Sequence, residues 1–158
     1  LHNEKEIDEH HKVVRLLSDD LQKVATNVHT TRFRYVDVIK KSTGDLLQTS
    51  SEIVGELPAN WQEHLGDLLA AMLPAGSIAG APKEKSVAVI DEAETYERGF
   101  YTGIAGVFDG KMLDSFVLIR FIERIGDRFF YKSGAGITAQ SQPLNEYNEI
   151  IEKIYIPI

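Results

Sequence analysis

The stretch FYTGIAGVFDGKMLDSFVLIRFIERIGDRFFYKS, residues 100–133, decides the fold. Phe100–Phe108 and Met112–Glu123 are rich in Phe, Val, Ile and Leu, residue types that suit a pleated, half-buried surface. Asp109-Gly110 between them favours a two-residue turn, so the pair reads as an antiparallel hairpin. Ile125-Gly126-Asp127 supplies a second turn and Arg128–Ser133 a further strand, which Gly134-Ala135-Gly136 interrupts. Connections this short join antiparallel neighbours, because a parallel crossover needs roughly a dozen residues or more.

The flanks are more helical. Downstream, Asn145–Tyr155 reads as a closing helix. Upstream, Asp8–Ala25 carries Val13, Val14, Leu16, Leu17, Leu21 and Val24 at helical spacing, with Asp8 as the expected N-cap. Thr31–Lys41 alternates as a strand, Ser42-Thr43-Gly44-Asp45 is a turn, and Leu46–Leu57 is an apolar segment of either type, stopped by Pro58. Asn60 caps a helix over Trp61–Leu73. Pro74–Lys83 is a glycine-bearing loop, and Pro82 suits the first turn of a helix running to Glu97. Helices interleaved with antiparallel strands define an α+β chain. Without a repeat, a low-complexity stretch or a linker, one compact unit is expected.

Composition narrows the function classes. The 158 residues hold 17 Lys+Arg against 24 Asp+Glu, a net charge of −7. Nucleic acid is thereby an unsuitable partner, since its binding rests on clustered cations. With 43% hydrophobic and 26% charged residues the chain has an ordinary globular make-up. Zero cysteines exclude a disulfide framework, a thiolate metal site and a cysteine nucleophile, and agree with a reducing cytoplasm. No apolar run approaches the roughly 20 residues that cross a bilayer, so no membrane role is expected. Leu1–Glu6 lacks the apolar heart of a signal peptide and has no initiator Met.

Several groups invite a chemical reading. His2, His10, His11 and His64 lack the spacing of a histidine metal site. Gly76–Lys83 is glycine-rich, but its lysine falls too late for a phosphate loop and no Ser or Thr follows it. Glu146 and Glu149 share one helix face, with Lys153 a turn beyond Glu149. That spacing fits an exposed ion pair, or a hard-cation site of the kind Mg²⁺ occupies. Glycines 134 and 136 mark either a bulge or a close backbone approach to an anion. Arg120, inside the run Phe116–Ile122, needs a partner: Asp114 or Glu123 within the chain, or an anionic ligand.

Taken in order, several segments resemble the chorismate-utilising enzymes, the family of anthranilate, aminodeoxychorismate, isochorismate and salicylate synthases. They are Pro74-Ala75-Gly76-Ser77-Ile78-Ala79-Gly80-Ala81-Pro82-Lys83, Arg98-Gly99-Phe100-Tyr101-Thr102-Gly103, Leu113-Asp114 to Ile119-Arg120, Ser133-Gly134-Ala135-Gly136-Ile137, and Glu146-Tyr147-Asn148-Glu149 to Lys153. Glu9-His10 followed by Asp19-Asp20-Leu21 is similar to the family's acidic helix segment. The set spans nearly the whole chain, and its detailed wording is closest to the aminodeoxychorismate branch, which begins p-aminobenzoate and folate synthesis. The resemblance implies a layered α/β/β/α fold with two packed, mainly antiparallel sheets.

It also implies roles. Glu9, Glu146 and Glu149 would surround a Mg²⁺ facing the ring carboxylate of chorismate. Arg120 and Tyr101 would take the enolpyruvyl carboxylate, Ser77 and the backbone of Gly134 and Gly136 the remaining oxygens, and Lys153 would stand near the metal-side carboxylate. The reaction implied replaces the 4-hydroxyl of chorismate by ammonia drawn from a glutamine amidotransferase subunit. Two departures stand out. Gln48 occupies the position of the family's usual histidine, and glutamine can hydrogen-bond a substituent but cannot act as an acid. Residues 1–158 match only the C-terminal portion of the family's catalytic domain. The half expected before it would carry a lysine proposed as a nucleophile in aminodeoxychorismate synthases, and the isolated chain is therefore expected to be inactive.

Overall fold

The computed structural model describes residues 4–40 and 44–154. His2, the Ser42-Thr43 half of the expected turn and Tyr155 lie outside the described residues. No linker marks the position in sequence, yet the chain divides into two compact units, Leu1–Thr95 and Tyr96–Ile158.

The first unit opens with α1, Glu4–Leu21. It begins before Asp8, so that residue is not its N-cap. A long antiparallel hairpin follows, formed by β1, Thr26–Ile39, and β2, Leu46–Glu56. The ambiguous segment after Gly44 is thus a strand, paired from Ile39↔Leu46 outward. The ladder slips between Arg32 and Tyr35, where Arg34 adopts φ 50°. That bulge turns the Arg34 N–H away from the ladder and onto Ser51 Oγ at 3.0 Å. At the far end Gly55 lets the hairpin meet the preceding turn closely, because a Cβ there would stand 2.9 Å from Val28 Cγ2 and 3.0 Å from Ala25 Cβ.

The rest of this unit is helical. The segment expected as one helix from Trp61 is a 3₁₀ turn, Trp61–His64, followed by α2, Leu65–Met72. The Asn60 side chain makes no capping hydrogen bond. The glycine-bearing loop contains a single helical turn, α3, Gly76–Ala79, and α4 spans Lys83–Ala93 with Pro82 as its N-cap.

In the second unit β3, Ile104–Phe108, pairs antiparallel with β4, Leu113–Val117. The turn between them is longer than Asp109-Gly110 alone. The Asp109 carboxylate accepts the backbone N–H groups of Lys111 and Met112, both at 2.8 Å, and opens the connection to four residues. The expected strand Met112–Glu123 is broken. Leu118 exchanges backbone hydrogen bonds with Thr102 and Gly103, each 2.8 Å, and the chain then bends through Ile119 and Arg120. β5, Phe121–Ile125, and β6, Arg128–Lys132, form the true two-residue hairpin, with Gly126 at φ 62° between Ile125 and Arg128. α5, Pro143–Glu152, places proline at its start, where no N–H is needed.

Mixed helices and antiparallel ladders confirm the α+β class. Among the described residues the ladders are three separate two-stranded sheets. Large apolar side chains stay open on the second unit, among them Val107 at 73% and Phe116 at 61% exposure. No single described helix is long and apolar enough to cross a membrane.

Candidate active site

Two of the expected ligand contacts meet in the second unit. Tyr101 sits in a turn closed by its own N–H onto the Arg98 carbonyl, 3.0 Å. Its ring reaches the segment after β6. A Cβ built on Gly134 would lie 2.1 Å from the Tyr101 hydroxyl oxygen, so the tyrosine occupies the space that the missing side chain leaves. Gly136 has nothing within 4 Å of such a Cβ and remains open. The phenol and the bare backbone of Gly134 thus present a hydroxyl and peptide groups side by side, which is the equipment that holds a carboxylate.

Arg120 is exposed in the bend, not embedded in a strand. Neither partner suggested for it is used. Glu123 is bound to Lys132 at 3.1 Å, with both side chains largely buried, and among the described residues Arg120 forms no ion pair. Its guanidinium remains available for an anion.

On α5 the Glu149 carboxylate pairs with Lys153. Glu146, three residues before Glu149, is half-buried and makes no side-chain hydrogen bond or ion pair among the described residues. A half-buried carboxylate without a partner, next to a second one on the same face, is a donor set suited to a hard cation. α5 is tied to the sheet where the Tyr131 hydroxyl donates to the Lys153 carbonyl, 3.4 Å.

The remaining expected residues lie on the first unit. Glu9 is exposed on α1, Gln48 is exposed on β2 opposite Asp37, and Ser77 is exposed on α3. Among the described residues, no group of three or more carboxylate or imidazole side chains is placed to hold a metal ion.

Two features of the first unit were not anticipated. Asp20 is 5% exposed. Its carboxylate accepts the Gly76 N–H at 3.1 Å, Lys23 Nζ at 2.7 Å, and Lys83 Nζ at 2.7 and 2.9 Å. Burial pushes this carboxyl up, but the hydrogen bonds from Lys23 and Lys83, backed by their charges, outweigh it and hold it below its ordinary 3.8. The readable signal was a carboxylate on the apolar stripe of α1, in line with Val13, Leu16 and Val24.

The second feature is His10, whose Nε2 lies 2.7 Å from Ser51 Oγ. The same oxygen accepts the Arg34 N–H, so the serine proton is directed to a neutral imidazole. Burial, then the charges of Arg34 and His11, lower the His10 pKa below 6.5. The unfolded chain therefore takes up this proton first as pH falls. Stability from this contact should be complete above about pH 6.5 and decline below it, until the folded imidazole also protonates. Urea midpoints compared at about pH 7.5 and about 5.5 should show the decline, and His10→Gln should shrink it. An unchanged step in that variant would assign the dependence to other groups.

Comparison with known proteins places the chain in a family. The chorismate binding enzyme family matches residues 1–158. A Haemophilus influenzae protein described as PabA-like is 53% identical over the whole chain, which spans 48% of that relative. Anthranilate synthase component 1 of Archaeoglobus fulgidus is 37% identical over 98% of the chain, which covers 36% of it. Aminodeoxychorismate synthase component 1 of Bacillus subtilis is 34% identical over 98% of the chain, which covers 32% of it. Among solved structures, a Bacillus anthracis chain described as the 2,3-dihydroxybenzoate-specific isochorismate synthase DhbC superposes with a TM-score of 0.70. That match covers 96% of this chain and 39% of the other at 24% identity, a likeness of fold. The chain thus spans about half the length of the Haemophilus relative or less of the others, and over its full extent it belongs to the chorismate binding enzyme family.

Proposed function

We propose that the protein carrying this chain is an aminodeoxychorismate synthase component I. It replaces the 4-hydroxyl of chorismate with ammonia and gives 4-amino-4-deoxychorismate for p-aminobenzoate and folate synthesis. The observation that supports this reading most is the Tyr101 hydroxyl lodged against Gly134, a prepared carboxylate cradle in a chain of this family. In this reading Tyr101 and Arg120 bind the enolpyruvyl carboxylate by charge-assisted hydrogen bonds. Ser77 and the Gly134 and Gly136 backbone take further oxygens. Gln48 holds the C4 substituent without giving up a proton, so protonation of the departing hydroxyl falls to another group or to water.

Glu146 and Glu149 of α5 would hold a Mg²⁺ through their carboxylate oxygens, and Glu9 of α1 is the third carboxylate that the family resemblance assigns to the ion. When bound, the ion neutralises their charge toward a dianionic ring. Lys153 already offsets part of the charge of Glu149. Much of the rate enhancement then comes from fixing the ring among preset charges. Ammonia comes from a glutamine amidotransferase subunit, and the cytoplasm is the compartment in this reading.

A second reading, anthranilate or isochorismate synthase, is favoured by the 37% identity to an anthranilate synthase component. Full-length protein incubated with chorismate, Mg²⁺ and ammonium separates them by product. Aminodeoxychorismate supports the first reading, whereas anthranilate or isochorismate replaces it. Glu149→Gln should weaken Mg²⁺ and chorismate binding together, each by about tenfold or more in titration calorimetry. Unchanged Mg²⁺ affinity would reduce the Glu149–Lys153 pair to an ordinary surface ion pair.

A further inference from the structure

Ser133 Oγ is buried and has no hydrogen-bond partner among the described residues. A hydroxyl stripped of water and left unpaired is costly, so native folds keep few of them. The neighbours of Ser133 are spoken for. Lys132 turns to Glu123 and to the face of the Tyr96 ring, with its Nζ 5.7 Å from the centroid. Tyr131 turns to the other side and donates to Lys153 at the end of α5. Ser133 directly follows the last residue of β6, two residues after Tyr131, the residue that ties this strand to the end of α5. The next residue is Gly134, with the Tyr101 hydroxyl against it. Ser133 is therefore the last side chain before the bare backbone that faces the proposed ligand.

We propose that the Ser133 hydroxyl is a substrate contact, donating a hydrogen bond to a carboxylate oxygen of the anionic ligand held along Gly134–Gly136. This rests on the chorismate reading above. A neutral donor suits the place, because it satisfies a carboxylate without adding a cation that would compete for Glu146 and Glu149.

The test uses full-length protein with Ser133→Ala, measuring chorismate affinity by calorimetry with Mg²⁺ and, separately, the ligand-free melting midpoint. Affinity should fall roughly ten- to hundredfold, the range for losing one hydrogen bond to a charged group. The ligand-free midpoint should stay level or rise, because the substitution removes an unpaired buried group. A purely structural hydroxyl gives the opposite pattern, and either wild-type affinity in the variant or a lowered midpoint overturns the assignment. If the unsubstituted protein itself fails to bind chorismate, the functional reading falls and takes this contact with it. Binding by wild type with an indifferent Ser133→Ala removes the contact alone.

Discussion

Asp20→Ala is expected to destabilise the first unit by about 3–5 kcal/mol, the range for stripping one partner from a buried ion pair. Among the described residues, the substitution leaves Lys83, whose side chain is only 22% exposed, with the Met72 carbonyl alone at 3.3 Å. It also removes the carboxylate that accepts the buried Gly76 N–H. Denaturant titration at neutral pH measures the loss. Asp20→Leu combined with Lys83→Met should recover most of it, since replacing both partners with apolar groups removes the stranded charge. A cost below about 1 kcal/mol for Asp20→Ala would mean that Lys83 swings freely into water. The acid limb gives an independent check. The folded carboxyl lies below 3.8, so its contribution is complete above that pH and is lost as the pH falls from there through the folded value.

Gly134→Ala is expected to have the largest effect on ligand binding that does not remove a polar group. The new methyl would meet the Tyr101 hydroxyl oxygen at 2.1 Å and its Cζ at 3.3 Å. A tyrosine ring has few ways to yield, so it must leave its place, at an overpacking cost of about 1–3 kcal/mol. Chorismate affinity of the full-length protein should drop about tenfold or more with it. Tyr101→Phe in the same background deletes the clashing oxygen and should return most of the lost stability. The two substitutions must therefore be strongly non-additive. Simple additivity would show that the phenol and Gly134 do not touch in solution.

The contrast between the two hairpins of the second unit shows what the residues make legible. Asp109-Gly110 carries the stronger short-range signal, yet the Asp109 carboxylate captures two N–H groups and widens its own turn. Gly126-Asp127 looks weaker and makes the tight connection, because Gly126 supplies the positive φ at its first position. Local preference names the turn, while side-chain hydrogen bonds choose its length. Arg120 was misplaced for a related reason: hydrophobic periodicity sees one run from Met112 to Glu123. The break is set by Leu118 pairing back to Thr102 and Gly103, a contact that periodicity does not encode.

The helix-face arrangement of Glu146, Glu149 and Lys153 was readable because helical spacing is local. Tyr101 and Gly134 were each singled out through resemblance, but their contact was not anticipated, since no spacing rule joins residues on separate loops. Asp20 shows the same limit from the other side. Its partner Lys83 is 63 residues away, and only a carboxylate on an apolar stripe hinted that a partner exists.

That distant pairing changes the meaning of the glycine-rich segment from Gly76 to Lys83. Such segments commonly cradle a phosphate with main-chain amides and a terminal ammonium. Here an amide and an ammonium of that kind converge on the chain's own Asp20. The protein carries its counter-anion internally, self-ligated, so the loop needs no visiting oxyanion to take its shape and Ser77 is presented in advance of any encounter.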